Sequence, residues 1–544
     1  MIDVSRRSLL ATGMFGAGAL AIPGLASAQT VLAARGFTHS VASGEPGLDE
    51  MLLWTRYVPA SGDHVRLRLE LSETPEFTRV AAGGETVTGP WRDWTAKVTV
   101  TGLHPGRIYH YRFVAPDGTR SPVGRTKTLP DDRAASFKAA IFSCSNIGFG
   151  FFNAYAHAAA RDDLDLGLHL GDYFYEYANN TYPGAEQLVA NRLPLPKGEI
   201  IHLADYRLRY ASYRADPDLQ ALHARLPVIA SWDDHESANN SWEGGAQNHD
   251  PATEGAWSDR KAAAIQAWRE WMPVSDEPWK AYEIGTLATL FRTDTRLSGR
   301  SQSPELGEML RAADPMRALA QYRDGAWNDP ARTMLGTQQE AWLHHGLGRS
   351  VKQGARWQIV GFGTIMGTMR VPPETAGWIS QARPGAAPYI QGAVAAGKAG
   401  LPSDLDNWGG YPAARARFLA SAQAAEANLI VLCGDSHNAW AFDLAQDGGK
   451  GAAVGVEFAG HAVTSSGFET ALAVDPETVA RALVSASPEL KWCDTSRRGY
   501  MALTVTPDRV SNDWLFVGSV RTRNAAARVG HTAHVQRGRR QMLA

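Results

Sequence analysis

Residues 164–176 read Leu-Asp-Leu-Gly-Leu-His-Leu-Gly-Asp-Tyr-Phe-Tyr-Glu, and this stretch decides the fold class. The apolar residues between Leu164 and Leu170 predict a buried strand that ends at Gly171-Asp172. Further apolar strands end in polar residues, with helical sequence between strands, which predicts an α/β (α+β layered) domain. These further strands and the residues that follow them lie at 137–146, 226–236, 357–364 and 428–437.

The first part of the chain has a different pattern. Residues 65–71 and 96–100 alternate apolar and polar side chains, which is typical of strands with one buried face. The turn at 101–106, and the strand after it, resemble fibronectin- and immunoglobulin-like sandwiches. We therefore predict a β-sandwich domain over 29–131, an α/β domain over 135–520 and a basic C-terminal tail over 521–544. The tail would be solvated, lie as a strap on the surface, or help to hold an anionic substrate.

The first 28 residues have the features of an export signal. Arg6-Arg7 forms a twin-arginine pattern, a Gly/Ala-rich apolar run follows, and Ala26-Ser27-Ala28 fits a cleavage site. The apolar run is too short and too rich in glycine for a good membrane span. We predict export by the twin-arginine machinery to the periplasm or the medium.

Composition excludes several classes of protein. Lys+Arg is 54 and Asp+Glu is 56, so the net charge of −2 gives no indication of specific nucleic-acid binding. Three cysteines in 544 residues exclude a disulfide scaffold. The sequence also lacks the G-x-S-x-G, Walker, H-E-x-x-H and Rossmann glycine patterns.

Two strand ends carry candidate metal ligands of different kinds. Asp172 would bridge two cations, and Tyr175, three residues later, would bind as a phenolate, which at neutral pH requires a strong Lewis acid such as ferric iron. Cys144 would bind as a thiolate and favours iron or zinc over calcium. The alternatives are a helix N-cap for Asp172 and a small buried apolar side chain for Cys144.

Two further strand ends add carboxylates and imidazoles. Asp233 and Asp234 follow the strand at 226–232, and His235 beside them would protonate a leaving group. Asp435 and His437 are two residues apart, so their side chains lie on one side of an extended segment. The alternatives are a surface turn at the first strand end and a metal-free Asp–His pair at the second.

The order of these blocks along the chain resembles the calcineurin-like metallophosphoesterases with altered donors. It resembles more closely the PhoD family of alkaline phosphatases and phosphodiesterases, over nearly the whole chain. The fold that this resemblance implies is an N-terminal β-sandwich plus a calcineurin-like β-sandwich flanked by helices. The blocks are Cys144, Gly171-Asp172-x-x-Tyr175, Asp234-His235-Glu236 and Gly434-Asp435-x-His437.

The resemblance implies a mixed ferric iron and calcium site, with zinc as the alternative metal. Asp172 would belong to both halves of the site, Asp233 would be a neighbour, and Asn239 or Asn240 would contribute an amide. Related sites place an amide or a histidine after the strand at 357–361, where this chain offers only the hydroxyl of Thr364. The implied iron ligands are Cys144, Asp172, Tyr175 and His437, and the implied calcium ligands are Asp172, Asp234 and Asp435.

The implied activity is hydrolysis of small phosphomonoesters or phosphodiesters by hydroxide that the metals activate. Asp172 and His235 are the candidate catalytic residues, together with Arg296, which would contact phosphate or form a structural salt bridge. The alternatives are a phospholipase D-like lipid phosphodiesterase on the same fold and a non-catalytic secreted binding protein.

Overall fold

A computed structural model describes residues 33–304, 306–382 and 384–543. The predicted export signal, residues 1–28, lies outside the described residues. The described strands form one sheet of nine strands, one of seven and one of four. The strands are β1 (Gly36–Gly44), β2 (Met51–Val58), β3 (Val65–Ser72), β4 (Ala82–Thr88), β5 (Thr95–Val100), β6 (Ile108–Val114), β7 (Gly124–Lys127), β8 (Phe137–Phe142), β9 (Leu166–His169), β10 (Pro227–Ala230), β11 (Lys280–Ile284), β12 (Ala288–Arg292), β13 (Trp357–Gly361), β14 (Leu429–Cys433), β15 (Ala439–Ala445), β16 (Ala453–Ala459), β17 (Leu490–Asp494), β18 (Gly499–Val505), β19 (Arg509–Val517) and β20 (Ala527–Gln536).

Helices connect the strands and cover the sheets. None of the described helices is both long and apolar enough to cross a bilayer. The helices are α1 (Asn153–Ala159), α2 (Leu203–Arg214), α3 (Pro217–Arg225), α4 (Pro251–Glu254), α5 (Trp257–Trp271), α6 (Leu306–Leu310), α7 (Pro315–Asp324), α8 (Gly336–Lys352), α9 (Ala387–Lys398), α10 (Pro412–Ala424) and α11 (Pro476–Ala486).

The two large sheets pack face to face. Their orders are β20-β19-β18-β8-β9-β10-β1-β2-β5 and β11-β12-β13-β14-β16-β15-β17. Ile141 of β8 and Ile359 of β13 lie in the shared core between them. Their chain neighbours Phe142 and Val360 point the other way, into the cores under the helices. Because successive side chains of a strand point to opposite faces, strands buried on both faces are apolar throughout.

The N-terminal strands differ from the prediction of a separate sandwich domain. These strands share a hydrophobic core, in which Met51 and Leu53 of β2 pack with Leu67 and Leu69 of β3. However, β1, β2 and β5 belong to the nine-stranded sheet, because β1 pairs in parallel with β10. Gly44 permits this junction, since a Cβ there would lie 2.0 Å from the carbonyl oxygen of Pro273.

The C-terminal residues also differ from the predicted tail. Residues 527–536 form β20, which pairs antiparallel with β19 at the edge of the nine-stranded sheet. Its inward side chains Ala533 and Val535 reach the core between the sheets. The apolar and polar alternation of this segment is too weak to predict a strand, because only a few apolar residues in β20 face inward. Upstream of β20, Arg523 binds both carboxylate oxygens of Asp218 at 2.7 Å, as a surface strap would.

Parallel strands bring polar strand ends to one edge of each large sheet. In the nine-stranded sheet β8, β9 and β10 run parallel, and in the seven-stranded sheet β12, β13 and β14 run parallel. The carboxyl ends of neighbouring parallel strands lie at the same edge of a sheet, where ligands bind in open α/β sheets. We therefore expect a functional site among the loops that follow these six strands.

A buried ion pair ties the two sheets together beside these strand ends. Glu45 follows β1 and accepts a 2.7 Å hydrogen bond from Arg292, the last residue of β12. Lys280 lies 3.1 Å from the other oxygen of the carboxylate. Burial would raise the pKa of Glu45, but the charges of Arg292 and Lys280 lower it below the ordinary value. The carboxylate is therefore ionised and stabilising at neutral pH.

We expect Glu45→Ala to lower the free energy of unfolding by about 3–5 kcal/mol, because it leaves Arg292 buried without its partner. Chemical denaturation measures this loss. The matched control is Glu85→Ala, which breaks an exposed pair with Arg66 and should cost at most about 1 kcal/mol. Since the pKa of Glu45 is depressed, the difference from wild type should shrink as the pH falls below about 4.5. Equal losses in both variants would contradict this role.

Candidate metal centre

The strand ends at this edge bring potential metal ligands together. Donor atoms of Cys144, Asp172 and His437 lie within 4.8 Å of one another. Donor atoms of Asp172 and three further carboxylates also lie within 4.8 Å of one another. Asp172 belongs to both groups, so its carboxylate lies where it could bridge two cations. The three further carboxylates are Asp233, Asp234 and Asp435.

Tyr175 lies against the group that contains the cysteine. Its hydroxyl is 3.1 Å from Asp172 Oδ2 and 3.0 Å from His437 Nε2. Ser465 donates a 2.8 Å hydrogen bond to the Tyr175 oxygen. The first group therefore offers a thiol, a phenol, an imidazole and a carboxylate around one point, and the second offers carboxylates alone.

Several of these residues have left-handed backbone conformations. The φ angles are 60° at Cys144, 55° at Asp172, 66° at Asp435 and 60° at His437. This region costs a non-glycine residue about 1–3 kcal/mol, and such residues persist only where the surrounding structure holds them. Their clustering at one point supports a functional site rather than ordinary turns.

Glu236 holds two of the strand ends in place. Its buried carboxylate accepts hydrogen bonds from the backbone N–H groups of Asp172 at 3.2 Å, Tyr173 at 2.6 Å and Asp233 at 2.8 Å. One side chain thus joins the loop after β9 to the loop after β10. Glu236 belongs to the predicted block Asp234-His235-Glu236, but no role was predicted for it.

The carboxylates have more negative charge than the protein neutralises. Burial raises the pKa of Asp172 well above its ordinary value, and the neighbouring carboxylates raise it further. Burial and Asp233 do the same to Asp435. The Oδ1 atoms of Asp172 and Asp234 are buried and have no hydrogen-bond partner among the described residues. Buried carboxylates of this kind require a cation or a proton, so the residues present fit a metal site.

The other donors are also suited to binding a cation. Burial lowers the pKa of His437 to about 3, so this imidazole is neutral with a lone pair available. Its Nδ1 lies 2.9 Å from the carbonyl oxygen of Ser466, which favours a proton on Nδ1 and leaves Nε2 free. Burial raises the pKa of both Cys144 and Tyr175. A metal would therefore have to displace their protons.

Arg296 lies among the carboxylates of the site. It is completely buried, and its guanidinium donates to both oxygens of Asp233 at 2.7 and 3.1 Å and to Asp406. Its Nη2 also lies 3.8 Å from Asp234 Oδ1 and 3.6 Å from Asp435 Oδ2. Of the two predicted roles, the structure shows the salt bridge, and the phosphate contact stays a prediction. Gly363 allows this packing, because a Cβ there would lie 2.2 Å from Asp233 Oδ1. Asp233 is thereby paired with an arginine within the carboxylate group.

His235 is oriented by a carboxylate that the sequence analysis did not assign. Glu176 lies 2.6 Å from His235 Nδ1, while His235 Nε2 lies 3.9 Å from Asp234 Oδ2. Burial lowers the pKa of His235, but the charges of Asp234, Glu176 and Asp172 outweigh burial and raise it well above the ordinary value. The arrangement gives a protonated imidazole whose Nε2 points toward the carboxylates. The sequence feature that could have identified Glu176 is its position four residues after Asp172, in the same block.

The predicted amide contributors, Asn239 and Asn240, are half-buried beside the carboxylates, whereas Thr364 is fully buried. Asn239 donates its backbone N–H to Glu176 at 2.7 Å and its side-chain amide to Gln247 at 2.5 Å. The backbone N–H of Asn240 donates to Asp234 Oδ2 at 2.7 Å. The Thr364 hydroxyl is buried and has no partner among the described residues. The two asparagines thus act on the site through hydrogen bonds to its carboxylates.

Comparison with known proteins agrees with this geometry. The family described as PhoD-like phosphatase matches residues 139–514, and its N-terminal domain matches residues 24–130. Alkaline phosphatase D of Bacillus subtilis (strain 168) is 32% identical over 499 residues, which cover 88% of this chain and 77% of that protein. A solved structure described as the structure of PhoD matches with a TM-score of 0.76 and 29% identity, over 93% of this chain and 92% of that one. The chain therefore belongs to the PhoD-like phosphatase family.

Proposed function

We propose that this chain is a metal-dependent phosphoester hydrolase of the exported alkaline phosphatase D type. Membership of the PhoD-like phosphatase family supports hydrolysis of phosphoester bonds. The observation that carries the metal dependence is the position of Asp172 in two overlapping groups of donors. Neither a lipid phosphodiesterase nor a non-catalytic binding protein has a comparable observation in its favour.

The donor chemistry supports different metals in the two groups. Thiolate, phenolate and imidazole from Cys144, Tyr175 and His437 suit ferric iron, with zinc as the alternative. Carboxylates suit calcium, so Asp234 and Asp435 would hold calcium with Asp172 as the shared ligand. When bound, the cations would supply positive charge to the phosphoryl oxygens and an acidified water as nucleophile.

The residues around the metal ligands have distinct roles in this proposal. His235, with Glu176 on Nδ1, would give its Nε2 proton to the departing alkoxide. Glu236 would fix the distance between Asp172 and the loop after β10. Arg296 would neutralise Asp233, so that the excess negative charge is left to Asp172 and its metal-binding neighbours.

Export is the second part of the proposal. The twin-arginine pattern at Arg6-Arg7 and the site at Ala26-Ser27-Ala28 support transport to the periplasm or the medium. We expect replacement of both arginines by lysine to leave the precursor in the cytoplasm with its first 28 residues uncleaved. Cell fractionation followed by N-terminal sequencing measures this. Unchanged export of the double variant would contradict the proposed route.

We expect Asp172→Asn to lose nearly all hydrolysis of p-nitrophenyl phosphate and to bind less metal. Asp132→Asn, an exposed carboxylate outside the site, should keep full activity. Removal of all metal provides a second readout. Because Asp172 then adds to a group of crowded carboxylates, metal-free Asp172→Asn should unfold at the same temperature as metal-free wild type or higher. Normal turnover by Asp172→Asn would contradict the site.

We expect His235→Asn to affect esters of poor leaving groups most, because these need a proton in the transition state. Hydrolysis of an alkyl phosphate should fall by about 10²–10⁴-fold, and hydrolysis of the p-nitrophenyl ester by much less. Steady-state kinetics on both esters measure the difference. His64→Asn, at an exposed position in the connection between β2 and β3, is the control. An equal fall on both esters would show that His235 is not the proton donor.

A further inference from the structure

The candidate metal centre opens into two cavities rather than one. The second cavity, of about 520 Å³, reaches the centre at Asp435 and His437. The first cavity, of about 660 Å³, borders the centre through Asn240, whose backbone N–H donates to Asp234, and through Asp406, which pairs with Arg296. One alcohol of a phosphodiester at the centre thus has room in the second cavity, up to the wall that it shares with the first. These cavities and the inference below rest on the proposed function.

Two side chains line both cavities and so form the wall between them: Asp404 and Tyr389. The Tyr389 side chain extends from α9 and is 55% exposed. An aromatic ring and a carboxylate therefore stand side by side next to the metal centre.

Asp404 forms no salt bridge with a described residue, although the charges of Arg296 and Arg300 act on it at longer range. Asp406, two residues away, forms salt bridges with Arg296 and Arg300. No described Lys, Arg or His lies within salt-bridge distance of Asp404, whose one hydrogen bond among the described residues comes from the backbone N–H of Asp406 at 2.9 Å. Asp404 also lies outside both groups of candidate metal ligands. Its charge is therefore available to a molecule in the cavities.

The rest of the lining has little positive charge. Among the described residues that line the two cavities, Arg311 is the only arginine or lysine, and it is exposed. A second anionic group on the substrate would meet Asp404 without a compensating cation. An ammonium group would instead find a carboxylate and an aromatic face, which together form the usual protein environment for such cations.

We propose that the enzyme selects phosphodiesters in which one alcohol carries an ammonium group, and that Asp404 and the Tyr389 ring hold this group. The phosphate lies at the metal centre, and the ammonium lies at the wall between the cavities. Burial and Asp406 raise the pKa of Asp404 to about 6. The carboxylate is therefore ionised at the alkaline pH of the test below.

The test compares two diesters with the same leaving group at pH 8. One is p-nitrophenyl phosphocholine, and the other is p-nitrophenyl 3,3-dimethylbutyl phosphate, in which a carbon replaces the ammonium nitrogen. For the metal-loaded wild type we expect kcat/KM to favour the choline ester by about tenfold. Asp404→Asn should bring the ratio close to one, and Asp404→Glu should restore part of it. Tyr389→Leu should reduce the ratio by a smaller factor.

The control is Asp447→Asn, which removes the same charge from the exposed turn between β15 and β16 and should keep the wild-type ratio. Equal kcat/KM values of the wild type on the two esters would overturn the selection of charge, and this comparison needs no variant. A preference that persists in Asp404→Asn would overturn the role of Asp404. Hydrolysis of p-nitrophenyl phosphate without hydrolysis of either diester would overturn the inference, whereas failure of the loaded wild type on all three esters would count against the proposed function.

An ammonium alcohol occurs both in soluble diesters and in lipid headgroups. The wild type is therefore also offered glycerophosphocholine in solution and phosphatidylcholine in vesicles. Hydrolysis of the first alone identifies a soluble substrate, and hydrolysis of the second identifies a lipid. Asp404→Asn should lose the activity that the wild type shows, and Asp447→Asn should keep it. This result would support the same ammonium site for either substrate.

Discussion

The structure depends on the repulsion among four carboxylates that meet where the two large sheets come together. Asp172, Asp233, Asp234 and Asp435 place oxygen atoms within 4.8 Å of one another. Arg296 neutralises part of this charge through Asp233, and His235 balances part of it beside Asp234. The negative charge that remains destabilises the folded protein unless cations or protons occupy the site.

The surrounding structure shows how such a site is kept in place. Residues in left-handed conformations follow β8, β9 and β14, and buried hydrogen bonds hold the loops that contain them. Glu236 joins the loop after β9 to the loop after β10, and Glu45 with Arg292 joins the sheets beside them. These contacts order the ligands before any cation arrives, which reduces the entropy that metal binding must overcome. Rigid strand ends, rather than flexible loops, set the distances.

Much of this arrangement could be predicted from the sequence. The strands at 137–142 and 357–361 match the prediction at both ends, because short apolar runs that end in polar residues mark parallel strands buried on both faces. The residues that the strand ends bring together could be named for the same reason. The order of these residues along the chain resembles that of a known family. This resemblance implied which metals they would bind, and the identity of the metals is a proposal.

Other features could not be predicted because they depend on pairing between distant segments. β1 pairs in parallel with β10, which lies more than 180 residues later in the chain, and no local sequence pattern predicts this pairing. The edge strand β20 buries few side chains, so its sequence resembles a basic tail. The role of Arg296 was open between two alternatives, since only the fold shows that its guanidinium is enclosed by Asp233 and Asp406.

The central claim is that Asp172 is shared by two cations of different chemistry. The most direct measurement is metal analysis of the purified protein together with its visible absorption spectrum, for the wild type and for Tyr175→Phe. We predict iron and calcium in the wild type, with a phenolate-to-iron absorption band that Tyr175→Phe removes. Tyr182→Phe, whose hydroxyl lies 3.2 Å from His437 Nδ1 and so on the side of the imidazole away from Nε2, should keep the band. A colourless, fully active wild type without iron would contradict the account.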